Sequence, residues 1–318
     1  MRRCLILDDY QQAALSLADW SRLADRVMVS AISEHIADRD ALVARIAEAE
    51  ILVIMRERTP FPAALLERLP RLELLVTSGP RNLAIDIAAA QARGITVCGT
   101  ESSPTPPTEL TWALILGLAR HLPAENQALR TGGPWQSTIG TDLAGATLGI
   151  MGLGKIGTRV ATIGRAFGMR VIAWSPNLDA DRAAAAGVEL APSKEALLEA
   201  SDVVTIHLVL GDRTRGLLGE AELRRMRKSA LLVNTSRAPI VDQLALRRAL
   251  GEGWIAGAGL DVFETEPLPA DDPFRRLPNL LGLPHLGYVT RNNYRTFSTQ
   301  AVEDVEAWLA GAPIRILS

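Results

Sequence analysis

The stretch from residue 147 to residue 175 constrains the fold more than any other part of this chain. An apolar run from Thr147 to Met151 is followed by glycines at G-x-G-x-x-G spacing, by an apolar-periodic segment and by a second apolar run that ends at Ser175. This order predicts a strand, a tight turn, a helix and a strand, and the free N–H groups that begin such a helix bind phosphate. With these flanks, the glycines indicate a dinucleotide-binding turn. We expect its contacts with the dinucleotide to come from Gly152, Gly154, Lys155, Ile156 and Gly157.

Length and composition indicate a globular chain with more than one core. The chain has 318 residues, more than one core usually supports, which predicts two domains. The formal net charge is −2 without a long basic cluster, so we expect no nucleic-acid partner. No apolar run reaches the roughly 18 residues of a membrane helix. Cys4 and Cys98 lie in apolar, strand-like runs, and no His, Asp and Glu set has metal-ligand spacing, which predicts free thiols, no metal and a cytoplasmic location.

Apolar runs alternate with helical segments through the first hundred residues and again after the glycine turn. Because these runs are apolar throughout, they predict parallel strands covered by helices on both faces. Three prolines between Glu101 and Thr108 interrupt the pattern, so we expect a hinge there and a helix that begins only at Glu109. That helix, Glu109 to His121, is apolar on nearly every side. It must therefore lie inside its domain or against a second subunit.

Three apolar runs of the second half end at residues that could carry chemistry. Arg237, Glu266 and His285 each follow such a run, and ligands of open parallel sheets bind at the carboxyl ends of strands. An imidazole exchanges protons near neutral pH, a neighbouring carboxylate favours its charged form, and a guanidinium binds a carboxylate through two hydrogen bonds. Singly, each residue could be a surface or loop residue. The catalytic interpretation depends on the three occurring together behind a dinucleotide turn.

These motifs, in this order, resemble the D-isomer-specific 2-hydroxyacid dehydrogenase family. The resemblance runs nearly end to end through the glycine turn and the stretches NTSRAPIVD (234–242), DVFETEP (261–267) and PHLG (284–287). It implies an enzyme that interconverts a 2-oxo acid and a D-2-hydroxy acid with NAD or NADP. In that enzyme His285 would be the acid/base, Glu266 its partner and Arg237 the anchor of the substrate.

The resemblance also implies an architecture of two Rossmann-like, doubly wound parallel-sheet domains separated by a cleft. Residues 1–100 and 288–318 would form a discontinuous, flavodoxin-like substrate lobe, and residues 101–287 an NAD(P)-binding lobe. Beyond the glycine turn, the expected cofactor contacts are Ser175, Asn177, His207, Thr235, Ser236, Arg237, Asp261, His285, Gly287 and Tyr288. Core packing is an alternative role for His207. A homodimer through the helix Glu109 to His121 and the segment 132–135 is implied as well.

The chain departs from the family at the end of its second cofactor-lobe strand. NAD-dependent relatives commonly have an acid there for the ribose hydroxyls, but this chain has Ser175, Pro176 and Asn177. The missing carboxylate removes repulsion of a 2′-phosphate, yet no basic residue follows at once. We interpret the nearest one, Arg182, as part of a solvated helix. The sequence therefore leaves both cofactors open, with a slight preference for NAD.

A second departure lies in the loop that should receive the substrate carboxylate. Ser78 and Gly79 fit the family's glycine-rich turn, but Arg81 stands where the family has a second glycine. Our hypothesis is that Arg81 recognises a second polar or anionic group of a larger oxo acid. The alternative is that it pairs with an acid such as Glu57 and only shapes the loop. Arg56, which ends an earlier strand, is a further candidate for substrate binding, and a structural role is the alternative.

Other functions of this fold remain as alternatives. Glu266 stands where formate dehydrogenases of the superfamily have glutamine, which disfavours formate. Phosphite oxidation is compatible with the three catalytic candidates. A dinucleotide-sensing regulator, similar to the C-terminal-binding-protein corepressors, could retain the same residues. We favour the enzyme because the sequence offers little chain beyond the two lobes for recruiting partners.

Overall fold

The computed structural model describes residues 1–318 and divides them into two compact α/β units. Unit 1 comprises Met1–Ser103 and Tyr288–Ser318, and unit 2 comprises Pro104–Gly287. None of the helices combines the length and the apolar character needed to span a bilayer.

Strands and helices alternate along most of the chain. Unit 1 begins with β1 (Arg2–Ile6), β2 (Val27–Ala31), α1 (Arg39–Ile46), β3 (Ile51–Ile54), α2 (Ala63–Leu66), β4 (Leu74–Thr77), α3 (Ile87–Ala92) and β5 (Thr96–Gly99). Unit 2 contains α4 (Thr105–Ala119), α5 (Leu122–Thr131), β6 (Thr147–Met151), α6 (Lys155–Ala166), β7 (Arg170–Trp174), α7 (Ala180–Ala185), β8 (Glu189–Leu190), α8 (Lys194–Ala200), β9 (Val203–Ile206), α9 (Glu220–Arg225), β10 (Leu231–Asn234), α10 (Gln243–Gly251), β11 (Gly257–Leu260) and β12 (Leu280–Gly282). The chain then returns to unit 1 with α11 (Arg291–Leu309).

The sheet of unit 1 is parallel and has apolar side chains on both faces. Its strand order is β2-β1-β3-β4-β5. Ile51 and Leu52 are neighbours in β3 and point to opposite faces, so each packs in a different hydrophobic cluster. This explains why the strands are apolar at every position. Cys4 and Cys98 are buried free thiols, as expected, and burial raises the pKa of each to about 12.

The sheet of unit 2 has seven parallel strands in the order β12-β11-β10-β9-β6-β7-β8. From β6 the chain adds β7 and β8 on one side, then crosses back and adds β9 to β12 on the other. The order therefore reverses between β6 and β9, which is where ligands bind in doubly wound sheets. The expectation of two doubly wound parallel-sheet domains is confirmed.

Helix α4 corrects our expectation about the proline-rich segment. The helix begins at Thr105 rather than at Glu109, and Pro106 and Pro107 lie inside its first turn. Our argument that no helix could cross these prolines was wrong. The N–H groups of a first helical turn have no acceptor within the helix, so a proline, which lacks the N–H, is tolerated there. Trp112 and Ile115 of α4 are buried in a core cluster of unit 2, so the helix is apolar because it lies inside its own unit.

The C-terminal segment of unit 1 is held by a buried ion pair. Arg315 Nε donates to Asp304 Oδ1 at 2.9 Å, and its Nη2 donates to the Gln300 carbonyl at 2.9 Å. Asp304 lies on α11 with 0 % of its surface exposed, and burial raises its pKa to about 7 despite the adjacent guanidinium. Arg315 therefore compensates a charge that would otherwise be costly inside the core.

We expect Arg315→Leu to lower the free energy of unfolding by about 3 kcal/mol at pH 8, the low end for a broken buried pair, because part of the arginine side chain is in solvent. The loss should be smaller at pH 5. There Asp304, whose folded-state pKa is raised above its unfolded value, is already neutral in the folded protein and needs no counter-ion. Urea unfolding at both pH values measures this, with Arg26→Leu as an exposed control. An equal loss at both pH values would contradict the assigned role of Asp304.

Candidate active site

The glycine turn connects β6 to α6 with a geometry that only small residues allow. Gly152 has φ +101°, and a Cβ added to Gly157 would collide with the Gly152 carbonyl oxygen, so strand and helix touch backbone to backbone. At Gly154 the opposite holds, because no heavy atom lies within 4 Å of where its Cβ would stand. A ligand can therefore approach the backbone above Gly154, beside the first N–H groups of a twelve-residue helix.

His207 lies beside this turn and has no hydrogen-bond partner for its Nε2 atom, which is buried. Its backbone N–H donates to Met151 O at 2.7 Å, which seats the residue at the end of β9 next to the end of β6. Burial lowers the pKa of His207 to about 4, so the ring is neutral at physiological pH. An orphaned polar atom at the glycine turn fits a bound polar ligand better than core packing alone. The unpartnered Nε2 of His207 and the open surface at Gly154 are both features that suit a bound dinucleotide.

Arg237 is held by a turn that follows β10. The Asn234 side chain braces this turn, since its Oδ1 accepts from the Ser236 N–H at 3.0 Å and its Nδ2 donates to the Arg237 carbonyl at 3.0 Å. Ser236 Oγ donates to the Leu208 carbonyl at 2.5 Å, which ties the turn to the end of β9. The Arg237 guanidinium donates to Ser236 O at 2.8 Å and stays half-buried. The arginine is thus placed by its backbone as well as by its side chain.

Glu266 and His285 form a direct contact, with His285 Nδ1 2.7 Å from Glu266 Oε2. The second oxygen of Glu266 accepts from the Phe263 N–H at 2.8 Å, so the carboxylate is itself held in position. His285 adopts φ +54°, a conformation that is uncommon for a residue with a side chain and that is often found at functional sites. A carboxylate at Nδ1 fixes this nitrogen as the N–H donor and leaves proton exchange to Nε2.

Asp261 holds the turn that carries His285. Its carboxylate is 0 % exposed and accepts from the Leu286 N–H at 2.6 Å and the Gly287 N–H at 2.8 Å. Burial raises the pKa of Asp261 to about 6, although the nearby His285 and the two N–H donors act in the opposite direction. We had expected Asp261 as a cofactor contact, and the structure shows that it also positions the loop of the histidine.

The candidates of unit 2 converge because they all follow strands of one parallel sheet. Parallel strands end at the same edge, so the turns after β6, β7, β9, β10, β11 and β12 lie together. Thr235 is further tied to this edge by a 2.9 Å hydrogen bond between its hydroxyl and that of Thr111 on α4. Seven candidates beyond the glycine turn meet here: Ser175, His207, Thr235, Ser236, Arg237, Asp261 and His285. Glu266 and Gly287 join them through the contacts described above.

An arginine that the sequence analysis did not identify lies beside the end of β7. Arg213 Nη2 lies 3.4 Å from Asn177 Oδ1, and Arg182 Nη1 donates to the Asn177 carbonyl at 3.0 Å. Both arginines line an open cavity of about 540 Å³ together with Ser175 and Asn177. The only sequence signal for Arg213 was its place in a polar stretch just past β9. That signal is weak because nothing in the sequence shows which strand end lies next to it.

The substrate-loop candidates of unit 1 divide into two groups. Arg56 has φ +50°, its N–H donates to Ser78 Oγ at 3.0 Å, and its guanidinium fills the space that a Cβ on Gly79 would need. Gly79, with φ +92°, also donates its N–H to Thr100 Oγ1 at 2.8 Å. Arg81 is apart from this group and exposed.

The contacts in unit 1 bear on two further expectations. The alternative pairing of Arg81 with Glu57 is not formed, because Glu57 Oε2 lies 3.7 Å from Arg56 Nε instead. Tyr288, expected as a cofactor contact, belongs to unit 1 and is 6 % exposed. Its ring packs against Tyr294 with 6.4 Å between ring centroids, and the Arg56 guanidinium lies 5.6 Å from its centroid. Its ring helps to pack an aromatic cluster, and the cofactor contact stays a prediction.

Comparison with known proteins places this geometry in a family. Residues 112–287 match the model of the D-isomer specific 2-hydroxyacid dehydrogenase NAD-binding domain. A glyoxylate reductase from Aeropyrum pernix is 40% identical over 282 residues, which cover 86% of this chain and 83% of that protein. A D-3-phosphoglycerate dehydrogenase from Methanocaldococcus jannaschii is 35% identical over 276 residues, which cover 86% of this chain but 52% of that protein.

A solved structure extends the similarity to both units. The crystal structure of phosphoglycerate oxidoreductase from Vibrio cholerae o395 is 37% identical and aligns with a TM-score of 0.92 over 98% of this chain and 100% of that one. The domain match and the curated relatives agree with the resemblance that the sequence motifs suggested. The chain belongs to the D-isomer specific 2-hydroxyacid dehydrogenase family and contains that family's NAD-binding domain.

Proposed function

We propose that this protein reduces a 2-oxo acid to the D-2-hydroxy acid, or catalyses the reverse oxidation, with a nicotinamide dinucleotide bound at the glycine turn of unit 2. The observation that carries the proposal is the 2.7 Å contact between His285 and Glu266 at the same sheet edge as that turn. A dinucleotide turn alone occurs in many proteins. An acid-paired imidazole beside it supplies the proton transfer that the interconversion of a carbonyl and an alcohol requires.

The reaction needs a hydride at C2 of the acid and a proton on the C2 oxygen. A nicotinamide held at the glycine turn would supply the hydride for reduction or accept it during oxidation. His285 Nε2 donates the proton to the carbonyl oxygen during reduction and removes it from the hydroxyl during oxidation. Glu266, hydrogen-bonded at Nδ1, stabilises the imidazolium and keeps the ring from rotating. Asp261 acts through the backbone by holding the turn that carries the ring.

Arg237 is proposed to bind the substrate carboxylate. Its planar guanidinium can donate two parallel hydrogen bonds to a carboxylate, which orients the adjacent carbonyl toward His285. The turn braced by Asn234 holds the arginine in place before substrate arrives, so less of the binding energy is used to order it.

The substrate class is proposed to be small 2-oxo acids, glyoxylate included, as the names of the glyoxylate reductases suggest. Arg56, Ser78 and Gly79 are proposed to take part in binding through the loop of unit 1. Arg81 is proposed to recognise a second anionic group on larger acids, since its exposed side chain makes no ion pair. The name D-3-phosphoglycerate dehydrogenase borne by other relatives is consistent with such a group, although the chain covers about half of their length.

The homodimer through the helix Glu109 to His121 and segment 132–135 stays a prediction. Because Trp112 and Ile115 of that helix are buried in unit 2, we propose that the second copy covers mainly α5 and the segment that follows. No residue of α5 is buried, and Leu129, Trp135 and Ile139 are exposed by 65%, 80% and 94%. Apolar side chains exposed this far are typical of an interaction surface.

We expect His285→Ala to lower kcat for oxo-acid reduction by at least about 100-fold, because the variant lacks the proposed proton donor. Fluorescence titration with the reduced cofactor should show nearly unchanged binding, which separates a chemical defect from an unfolded site. His121→Ala, an exposed histidine of the same unit, is the matched control. A His285→Ala enzyme with more than a tenth of the normal kcat would rule out this acid/base role.

We expect kcat/KM for reduction to fall as the pH drops through about 6. Asp261 becomes protonated there, and one of its two oxygens can no longer accept an N–H. His285 donates the proton during reduction, so its protonated form favours the reaction. A fall of kcat/KM at acid pH therefore has the opposite sign and can be assigned to Asp261. Asp261→Asn should lower kcat/KM about tenfold at pH 7.5, the scale of one unsatisfied buried N–H. The fall of kcat/KM on the acid side should be absent from this variant.

The pH profile of reduction from pH 5 to 9 measures both effects, with Asp142→Asn as an exposed control in the same unit. If Asp261→Asn kept the acid limb, the titration would belong to another group, and the assigned positioning role would be wrong.

We expect Arg81→Ala to raise KM for dicarboxylic or phosphorylated oxo acids by about tenfold while leaving glyoxylate nearly unchanged, because only the former carry a second anion for a guanidinium to bind. Steady-state kinetics on both classes measures this selectivity, and Arg93→Ala is the exposed control in unit 1. An equal loss on both classes would show that Arg81 shapes the loop rather than recognising the substrate.

A further inference from the structure

The strand end that should contact the adenosine ribose lacks an acidic residue. Ser175 follows the last residue of β7, and the nearest carboxylate in the following segment, Asp179, is engaged in capping α7. Its Oδ1 accepts from the Arg182 N–H at 2.8 Å. A carboxylate at this strand end binds the 2′-hydroxyl of NAD and repels the 2′-phosphate of NADP. Here neither effect operates from the β7 end.

Two guanidinium groups lie at this strand end. Arg182 approaches from α7 and Arg213 from the segment after β9, and each contacts Asn177. They reach the same cavity from two separate elements, so the sheet, rather than one flexible loop, brings them together. Neither arginine has a carboxylate within the 4.0 Å of an ion pair, whereas many other arginines of unit 2 do.

The backbone that carries Arg213 is well braced. Thr214 is buried, and its hydroxyl donates to the Val209 carbonyl at 2.7 Å and accepts from the Gly211 N–H at 2.9 Å. The Thr214 N–H also donates to the Gly211 carbonyl at 3.0 Å. These bonds close a tight turn that holds the base of the Arg213 side chain at the rim of the cavity. Only the end of the side chain must reorient to bind a ligand.

The charges around the cavity suit a doubly charged anion. Arg182 and Arg213 contribute two positive charges and Asp212 contributes one negative charge. A cavity of about 540 Å³ at the position of an adenosine ribose has room for a phosphate on that ribose. Guanidinium groups bind phosphate through paired, charge-assisted hydrogen bonds.

We propose that Arg182 and Arg213 bind the 2′-phosphate of the cofactor, so that this protein prefers NADPH to NADH. The inference rests on the proposed function to the extent that a dinucleotide must bind at the glycine turn. It reverses the slight preference for NAD that the sequence suggested, because the sequence did not reveal Arg213 or the fold of Arg182 back onto Asn177.

The competing explanation is that the arginines stack on the adenine ring, which both cofactors share. In that case they would strengthen binding of NADH and NADPH alike. The two explanations therefore differ in selectivity rather than in affinity.

Binding, measured without turnover, distinguishes them. Titration of the whole protein, followed by tryptophan fluorescence, should give a Kd for NADPH at least about tenfold below that for NADH. Arg213→Ala and Arg182→Ala should each raise the Kd for NADPH about tenfold or more, the scale of a lost charge-assisted hydrogen bond. Each should raise the Kd for NADH less than about threefold. Arg276→Ala, an exposed arginine elsewhere in unit 2, should change neither.

Two further measurements sharpen the result. Calorimetry with adenosine 2′,5′-bisphosphate and adenosine 5′-phosphate should reproduce the selectivity without a nicotinamide ring, which locates it at the adenosine end. Ser175→Asp places a carboxylate at the strand end. It should raise the Kd for NADPH and change the Kd for NADH by less than about threefold.

The outcomes separate this inference from the proposed function. Equal affinity for both cofactors, or equal losses of both in the arginine variants, overturns the inference and leaves oxo-acid reduction untouched. A protein that binds neither cofactor overturns the proposed function itself.

Discussion

Parallel strand pairing in unit 2 is the constraint on which the rest of the site depends. Seven strands run in one direction, so seven turns leave the sheet at one edge. Residues 152, 237, 261 and 285 are far apart in the chain and meet only because each follows one of these strands. The pairing needs strands that are apolar on both faces and helices to cover them, and this explains why Ile150 and Met151 are neighbours in β6 but pack in different clusters.

The carboxyl edge of the unit 2 sheet, where the catalytic site is proposed, combines groups whose electrostatic requirements differ. Glu266 contacts the His285 ring at Nδ1, whereas Asp261 is buried and accepts two backbone N–H groups. Burial raises the pKa of Asp261 to about 6, so the buried carboxylate is costly, and His285 partly offsets that cost. The histidine and the two acids therefore depend on one another.

At the end of β7, where the adenosine is proposed to bind, the charges are arranged differently. There the protein places two arginines near an open cavity and leaves them without ion pairs, which keeps them available to an incoming anion. Ion pairs elsewhere in unit 2, such as that between Arg170 and Glu189, join exposed side chains and contribute little to stability. Arginines without partners cost the protein little in water. They can therefore serve selectivity without weakening the fold.

Much of the fold and of the site could be predicted from sequence because the signals are local. The glycine spacing after an apolar run determines a turn and a helix start, and uniformly apolar runs determine parallel strands. The motifs around Arg237, Glu266 and His285 identified the catalytic candidates for the same reason. The start of α4 was misplaced because prolines that break a helix interior are tolerated in its first turn.

Only the tertiary structure decided what depends on neighbours that are distant in the chain. It set the 2.7 Å geometry of the His285–Glu266 pair that the sequence motifs had implied, and it showed that Asp261 holds the histidine loop. It also placed Tyr288 in an aromatic cluster of unit 1 and brought Arg213 beside the end of β7. The sequence by itself determined which elements form, because hydrogen bonding and side-chain periodicity act over a few residues. Which strand ends become neighbours follows from the order in which the strands pair, and that order is a property of the folded sheet.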